Sequence, residues 1–80
     1  MKTANGTLWE ETKTGEELDA IYRDLETGEV FAVELKVEPE ETFGQFTIRC
    51  ATVARMDFEC PRLLGFCKPE EVERMGIDVY

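Results

Sequence analysis

The triplet Thr-Gly-Glu occurs twice in this chain, at residues 14–16 and again thirteen residues later at 27–29. Glycine reaches positive φ without steric cost, so a glycine between polar residues marks a tight turn. Two such marks so close together cut the first half of the chain into short segments. Read this way, residues 7–13, 17–25 and 29–38 form a three-stranded antiparallel meander. The third segment is the clearest. Phe31, Val33, Leu35 and Val37 alternate with Ala32, Glu34, Lys36 and Glu38, giving one buried and one wet face. Pro39 ends it, because proline has no N–H to offer a ladder.

Residues 16–27 also fit a helix. Thr14 and Glu17 make a capping box, Leu18, Ile21, Tyr22 and Leu25 recur at helical spacing, and Gly28 stands where a left-handed residue closes a helix. As a strand, Leu18, Ala20 and Tyr22 share a face that Asp24 interrupts. Both readings stay open here, with the paired turns favouring the hairpin.

After an acidic connector at 38–44, Phe46, Ile48, Cys50, Thr52, Ala54, Met56, Phe58 and Cys60 all fall on even positions. That alternation predicts one long bent strand, or two strands meeting near 54–57. Leu63, Leu64 and Phe66 then read as a core plug in a loop or short strand. Residues 68–76 read as a short helix, with Pro69 in its first turn, early glutamates suited to the helix dipole, and Gly76 at the left-handed C-terminal position. Residues 77–80 add a last edge strand. The expected fold is mainly β or α+β: a small antiparallel sheet or barrel of four to five strands with a short C-terminal helix, in one domain over residues 1–80.

Charge narrows the function. Eighteen Asp and Glu stand against nine Lys and Arg, a net charge of −9. Residues 1–41 hold twelve of the acids and four bases, whereas residues 42–80 hold six acids and five bases. Such a chain is repelled by nucleic acid and by anionic membranes and attracted to basic protein surfaces. The candidate partner-binding residues are Glu10, Glu11, Glu16, Glu17, Asp19, Asp24, Glu26, Glu29, Glu34, Glu38, Glu40 and Glu41. Lys13, Arg23 and Lys36 interrupt any simple acidic ridge. Acidity also keeps a small protein soluble with no partner involved.

Histidine is absent, which removes the commonest general base and every Ser-His or Cys-His pair. No Gly-rich phosphate loop is present, and the acidic run at 38–41 lacks the spaced pattern of an EF-hand. Cys50, Cys60 and Cys67 do not have zinc-ligand spacing and read as buried, reduced thiols, with a Cys60–Cys67 bridge open under oxidising conditions. No enzyme, metal or cofactor is therefore expected. Trp9 and Phe43 each suit either the core or an interface.

No apolar run is long enough to cross a bilayer, and the N-terminal residues lack the apolar core of a leader, so a cytoplasmic protein is expected. The leading expectation is a non-enzymatic protein-binding module. In its strongest form it is a phage-type inhibitor whose carboxylates stand where phosphates would sit, an analogy of size and charge only. The alternative is a small assembly subunit that self-associates through sheet edges, at residues 7–12 or 77–80. A nucleic-acid-binding barrel ranks third. Arg49, Arg55, Arg62, Lys68 and Arg74 sit near Phe46, Phe58 and Phe66 in sequence, but those even-position rings look buried.

Overall fold

Strands β1 (Glu17–Asp24) and β2 (Val30–Lys36) form an antiparallel hairpin with Leu18 opposite Leu35, Ala20 opposite Val33 and Tyr22 opposite Phe31. The hairpin reading of residues 16–27 is the correct one. Gly28 closes the turn at φ 77°, and the Asp24 carboxylate braces it by accepting the N–H and hydroxyl of Thr27. Asp24 also accepts the Cys60 N–H, which is why a buried carboxylate ends an otherwise apolar face. The computed structural model describes residues 4–80, with side chains from Leu8 onward. Residues 1–3, part of the segment read above as lacking a leader, lie outside the described residues.

Among the described residues the chain runs α1 (Ala4–Glu11), β1, β2, α2 (Phe43–Asp57), β3 (Pro61–Cys67), α3 (Pro69–Met75) and β4 (Asp78–Val79). The fold is α+β. The sheet has four strands in the order β3-β1-β2-β4 and is open rather than a barrel. It is mixed rather than wholly antiparallel, because β4 pairs with β2 in parallel. The C-terminal helix and the last edge strand lie where the sequence places them. Gly76 closes α3 in the left-handed region at φ 71°, ψ 26°.

Two segments differ from expectation in their secondary structure. Residues 7–13 are the end of α1 and the turn after it, not a strand. Leu8 and Trp9 pack onto the core, and the Thr12 hydroxyl donates to the Leu8 carbonyl one turn back. The first Thr-Gly-Glu therefore joins a helix to a strand, with Gly15 at φ 89°.

The second is residues 45–60, where helix α2 replaces the expected strands. Its buried residues are Phe46, Cys50 and Ala54, four apart and on one helical face. Ile48 and Met56, which the strand reading placed beside them, are 67% and 78% exposed. The helix starts at a capping box in which Thr42 accepts the Gln45 N–H and Gln45 accepts the Thr42 N–H.

Helix α2 covers one face of the sheet, burying Leu18, Ala20, Tyr22, Phe31, Val33 and Phe66. Trp9 stacks on Phe43 at 5.2 Å, and Phe31 on Phe58 at 3.8 Å. Trp9 and Phe43 thus belong to the edge of the core. The opposite face has a thinner cover. The short α3 sets Val72 against Ile21 and Ala32. Asp19 and Glu34 share that face, because each stands two residues along its strand from Ile21 or Ala32.

Strand β3 is real, but it is not a plug: Leu63 and Leu64 are exposed and only Phe66 is buried. A bulge explains the pattern. Ile21 faces Gly65 and Tyr22 faces Leu63, leaving Leu64 as the extra residue. All three cysteines are free, but only Cys50 is buried, Cys67 is half-buried and Cys60 is exposed. Cys60 and Cys67 flank β3 at opposite ends, roughly 20 Å apart by strand rise, so they cannot pair.

Candidate functional site

The hairpin register decides where the carboxylates go, and it distributes them over two ends of the sheet. Asp24, Glu26 and Glu29 gather at the hairpin turn, and the Glu29 carboxylate accepts the Tyr80 hydroxyl. Glu16, Glu17, Glu38, Glu40 and Glu41 lie at the other end. Glu10 and Glu11 are exposed on the last turn of α1. The twelve acids do not form one ridge.

Several of them have structural work. Asp24 braces the hairpin turn. Glu41 is held by Arg49, which keeps its carboxyl below the usual range, and Glu38 lies within ion-pair distance of the same guanidinium. Glu16 accepts the Lys13 N–H and shapes the turn into β1. The exposed acids also include Glu26 and Glu40.

Asp19 is the exception. It is completely buried, and the group that meets its carboxyl is the Glu34 carboxyl rather than a backbone N–H or a basic side chain. Glu34 stands directly opposite on β2, Cys67 directly opposite on β3, Glu17 two residues upstream on the same face, and Glu70 in the first turn of α3. Two carboxyl groups can hydrogen-bond only if one carries a proton. Burial, then the hydrogen bond with Glu34, then the charges of Glu34, Glu17 and Glu70 push the Asp19 carboxyl up to about 7. Glu17 is shifted upward too, first by its hydrogen bond with Glu34.

Beside Glu17 and Glu70 an open cleft of about 350 Å³ runs between the end of α1, the start of β1 and the start of α3. Glu16, Glu17, Lys68 and Glu70 line it. The cleft thus takes Glu16 and Glu17 from the expected set and adds Glu70, which composition alone assigned to the less acidic half, whereas Asp19 and Glu34 do not line it. Glu70 gets there because β3 pairs antiparallel with β1, which delivers the start of α3 beside the start of β1.

Two of the thiols, Cys50 and Cys67, are poor nucleophiles. Burial pushes the Cys50 thiol up to about 12, and burial followed by the charges of Glu71 and Asp19 raises Cys67. Among the described residues no three acids or cysteines are grouped so as to enclose a metal ion, and no helix is long and apolar enough to cross a membrane. No family model, no curated protein and no solved structure matches the chain.

Proposed function

We propose that this protein is a non-enzymatic, cytoplasmic binding module that docks a basic surface of another protein through the acidic end where α1, β1, β2 and α3 meet. The observation that carries this reading is that Glu16, Glu17 and Glu70 line one cleft, while Glu17, Glu34 and Glu70, from three segments distant in sequence, all bear on the buried Asp19. Surface acids placed only for solubility have no reason to converge on a cleft. A basic partner lowers the repulsion among them and gains steering from the net charge of −9. In its strongest form the protein is an inhibitor, of the kind phages encode, that occupies a nucleic-acid-binding groove with carboxylates in place of phosphates.

The test is capture of a basic partner by tagged protein at rising salt, using two sets of charge reversals. Glu16→Lys, Glu17→Lys and Glu70→Lys together are expected to abolish a salt-sensitive interaction, whereas Glu26→Lys at the hairpin turn leaves it intact. Unchanged affinity in the triple variant would refute the reading.

One observation favours a second reading, assembly of copies along the β3 edge. Ile21, Leu64, Met75 and Ile77 line a shallow apolar groove there, with Leu64 and Met75 about half exposed at 51% and 54%. Sedimentation over a wide concentration range separates the two readings. A mass that stays monomeric at high micromolar concentration removes the assembly reading. Residues 7–12 drop out as a pairing edge because they lie in α1 and its turn.

A further inference from the structure

We propose that α3 is a pH-operated cover over one face of the sheet, docked while the Asp19 and Glu34 carboxyls share a proton and released when that proton passes to solvent. This goes beyond the binding reading above and does not depend on what the acidic cleft takes.

The hairpin register brings the two carboxyls together. The Val37 N–H bonds the Glu16 carbonyl and the Asp24 N–H bonds the Glu29 carbonyl. Hydrogen-bonded pairs therefore recur at every second position between them, Leu18 with Leu35 and Ala20 with Val33 included, and Asp19 with Glu34 is a non-hydrogen-bonded pair. Side chains of such a pair stand closest, on Cα atoms about 4.5 Å apart. Asp19 is 0% exposed and its carboxyl meets that of Glu34. Two carboxyls hold each other only through a proton that one of them carries.

The same face is where the fold is thinnest. Helix α2 packs on the opposite face, and α3 is the helix set against Ile21 and Ala32 beside the pair. Its hold is slight. Of its residues only Val72 is buried, and the Lys68 side chain makes no capping hydrogen bond. An element with so few buried contacts opens on its own, ahead of the sheet and α2.

Nothing around Asp19 compensates a charge on it. The charged and titratable groups nearby are Glu17 on its own strand, Glu34 and Lys36 on β2, Cys67 on β3, and Lys68, Glu70 and Glu71 at the start of α3. Glu34, Glu17 and Glu70 oppose ionisation, Lys36 stands opposite Glu17, and no basic side chain donates to Asp19. Burial and these neighbours hold the docked Asp19 at about 7. With α3 released, water reaches the carboxyl and returns it to the ordinary aspartate range, near 4 by the reference value. The released form thus binds fewer protons and gains as pH rises. The gain builds between those two values and levels off above them, where Asp19 is ionised in both forms.

The experiment is native-state amide hydrogen exchange of the full chain, read by NMR as protection factors from pH 5 to pH 8 at several low urea concentrations. Urea separates local from global opening, because its effect scales with the surface exposed. The amides from Val72 to Ile77 should exchange by an opening almost insensitive to urea. Their protection should fall by roughly tenfold or more between pH 5 and pH 7 and change little from there to pH 8. Asp19→Asn should abolish the fall, and Glu34→Gln, which gives Asp19 an N–H donor, should reduce it at least several-fold. Either variant decides the question if the other does not fold. Val72→Ala should lower the protection of α3 by the same factor at every pH. Exchange of α3 with the urea dependence of the hairpin and α2, protection of α3 that is flat with pH, or a full fall retained in Asp19→Asn or Glu34→Gln would each overturn the proposal.

Discussion

Arg49 holds Glu41 by two parallel hydrogen bonds, from Nε to Oε2 at 2.6 Å and from Nη2 to Oε1 at 2.8 Å. The same Nη2 donates to the Lys36 carbonyl at 2.8 Å, and the guanidinium lies 5.5 Å from the centre of the Phe46 ring. One side chain therefore ties the end of β2, the acidic connector and α2 together. Lysine carries the charge but not the fork. Arg49→Lys is expected to cost about 1–2 kcal/mol in chemical denaturation. A loss no larger than that of an isolated surface pair, a few tenths of a kcal/mol, would mean the fork does not matter.

Two carboxyls give stability opposite dependences on pH. Asp19 is raised in the folded state, so its favourable contribution is complete below the ordinary aspartate range and is lost as pH rises towards about 7. Glu41 is lowered, so its contribution is present above the ordinary glutamate range and is lost as pH falls. Stability should therefore peak on the acidic side of neutrality, near pH 4–5 by the reference values. In thermal melts Asp19→Asn should match the wild type near that optimum and exceed it at pH 8. The gain should be at most on the order of 4 kcal/mol. A wild-type melting temperature that climbs from pH 5 to pH 8 would contradict this.

Glu40 sits at φ 61° in the connector, between Pro39 and Glu41, and the Glu41 N–H bonds the Glu38 carbonyl across it. That is a turn with proline where it is preferred and glutamate where glycine or asparagine belongs. Glu40→Gly is expected to raise stability by about 0.5–1 kcal/mol in urea titration. A loss of stability would show that the side chain has a role the turn geometry does not reveal.

The Tyr22 hydroxyl is buried beneath α2 with no hydrogen-bond partner, and burial raises the phenol to about 12. Removing an unsatisfied buried polar atom while keeping the ring stacked on Phe31 should help rather than harm. Tyr22→Phe is expected to stabilise by about 1 kcal/mol. Destabilisation by the same amount would reveal an ordered water or other partner for that oxygen.

The parts of this fold that local chemistry controls were legible in the residues: the alternating β2, the glycine turn at Gly28, and α3 with its proline start and Gly76 stop. Helix α2 was not, for a geometrical reason. Residues four apart share a face in a helix and also in a strand, so Phe46, Cys50 and Ala54 satisfy both periods. Apolar Ile48 and Met56 then completed a false alternation. The discriminating signal was the Thr42–Gln45 capping box. The acidic site divides in the same way. Asp19 facing Glu34 follows from the hairpin register once the turn is chosen, but the arrival of Glu70 depends on β3 crossing to pair with β1, and no local pattern records that.

The double periodicity of α2 has a kinetic consequence. A chain whose hairpin has closed presents the face of Leu18, Ala20, Phe31 and Val33 as a template on which residues 43–57 gain only by coiling. A chain whose hairpin is still open carries residues 46–54 as a segment fit for strand pairing, with Arg49 its only charge. Hairpin closure at Gly28 thus sets the time during which refolding competes with self-association.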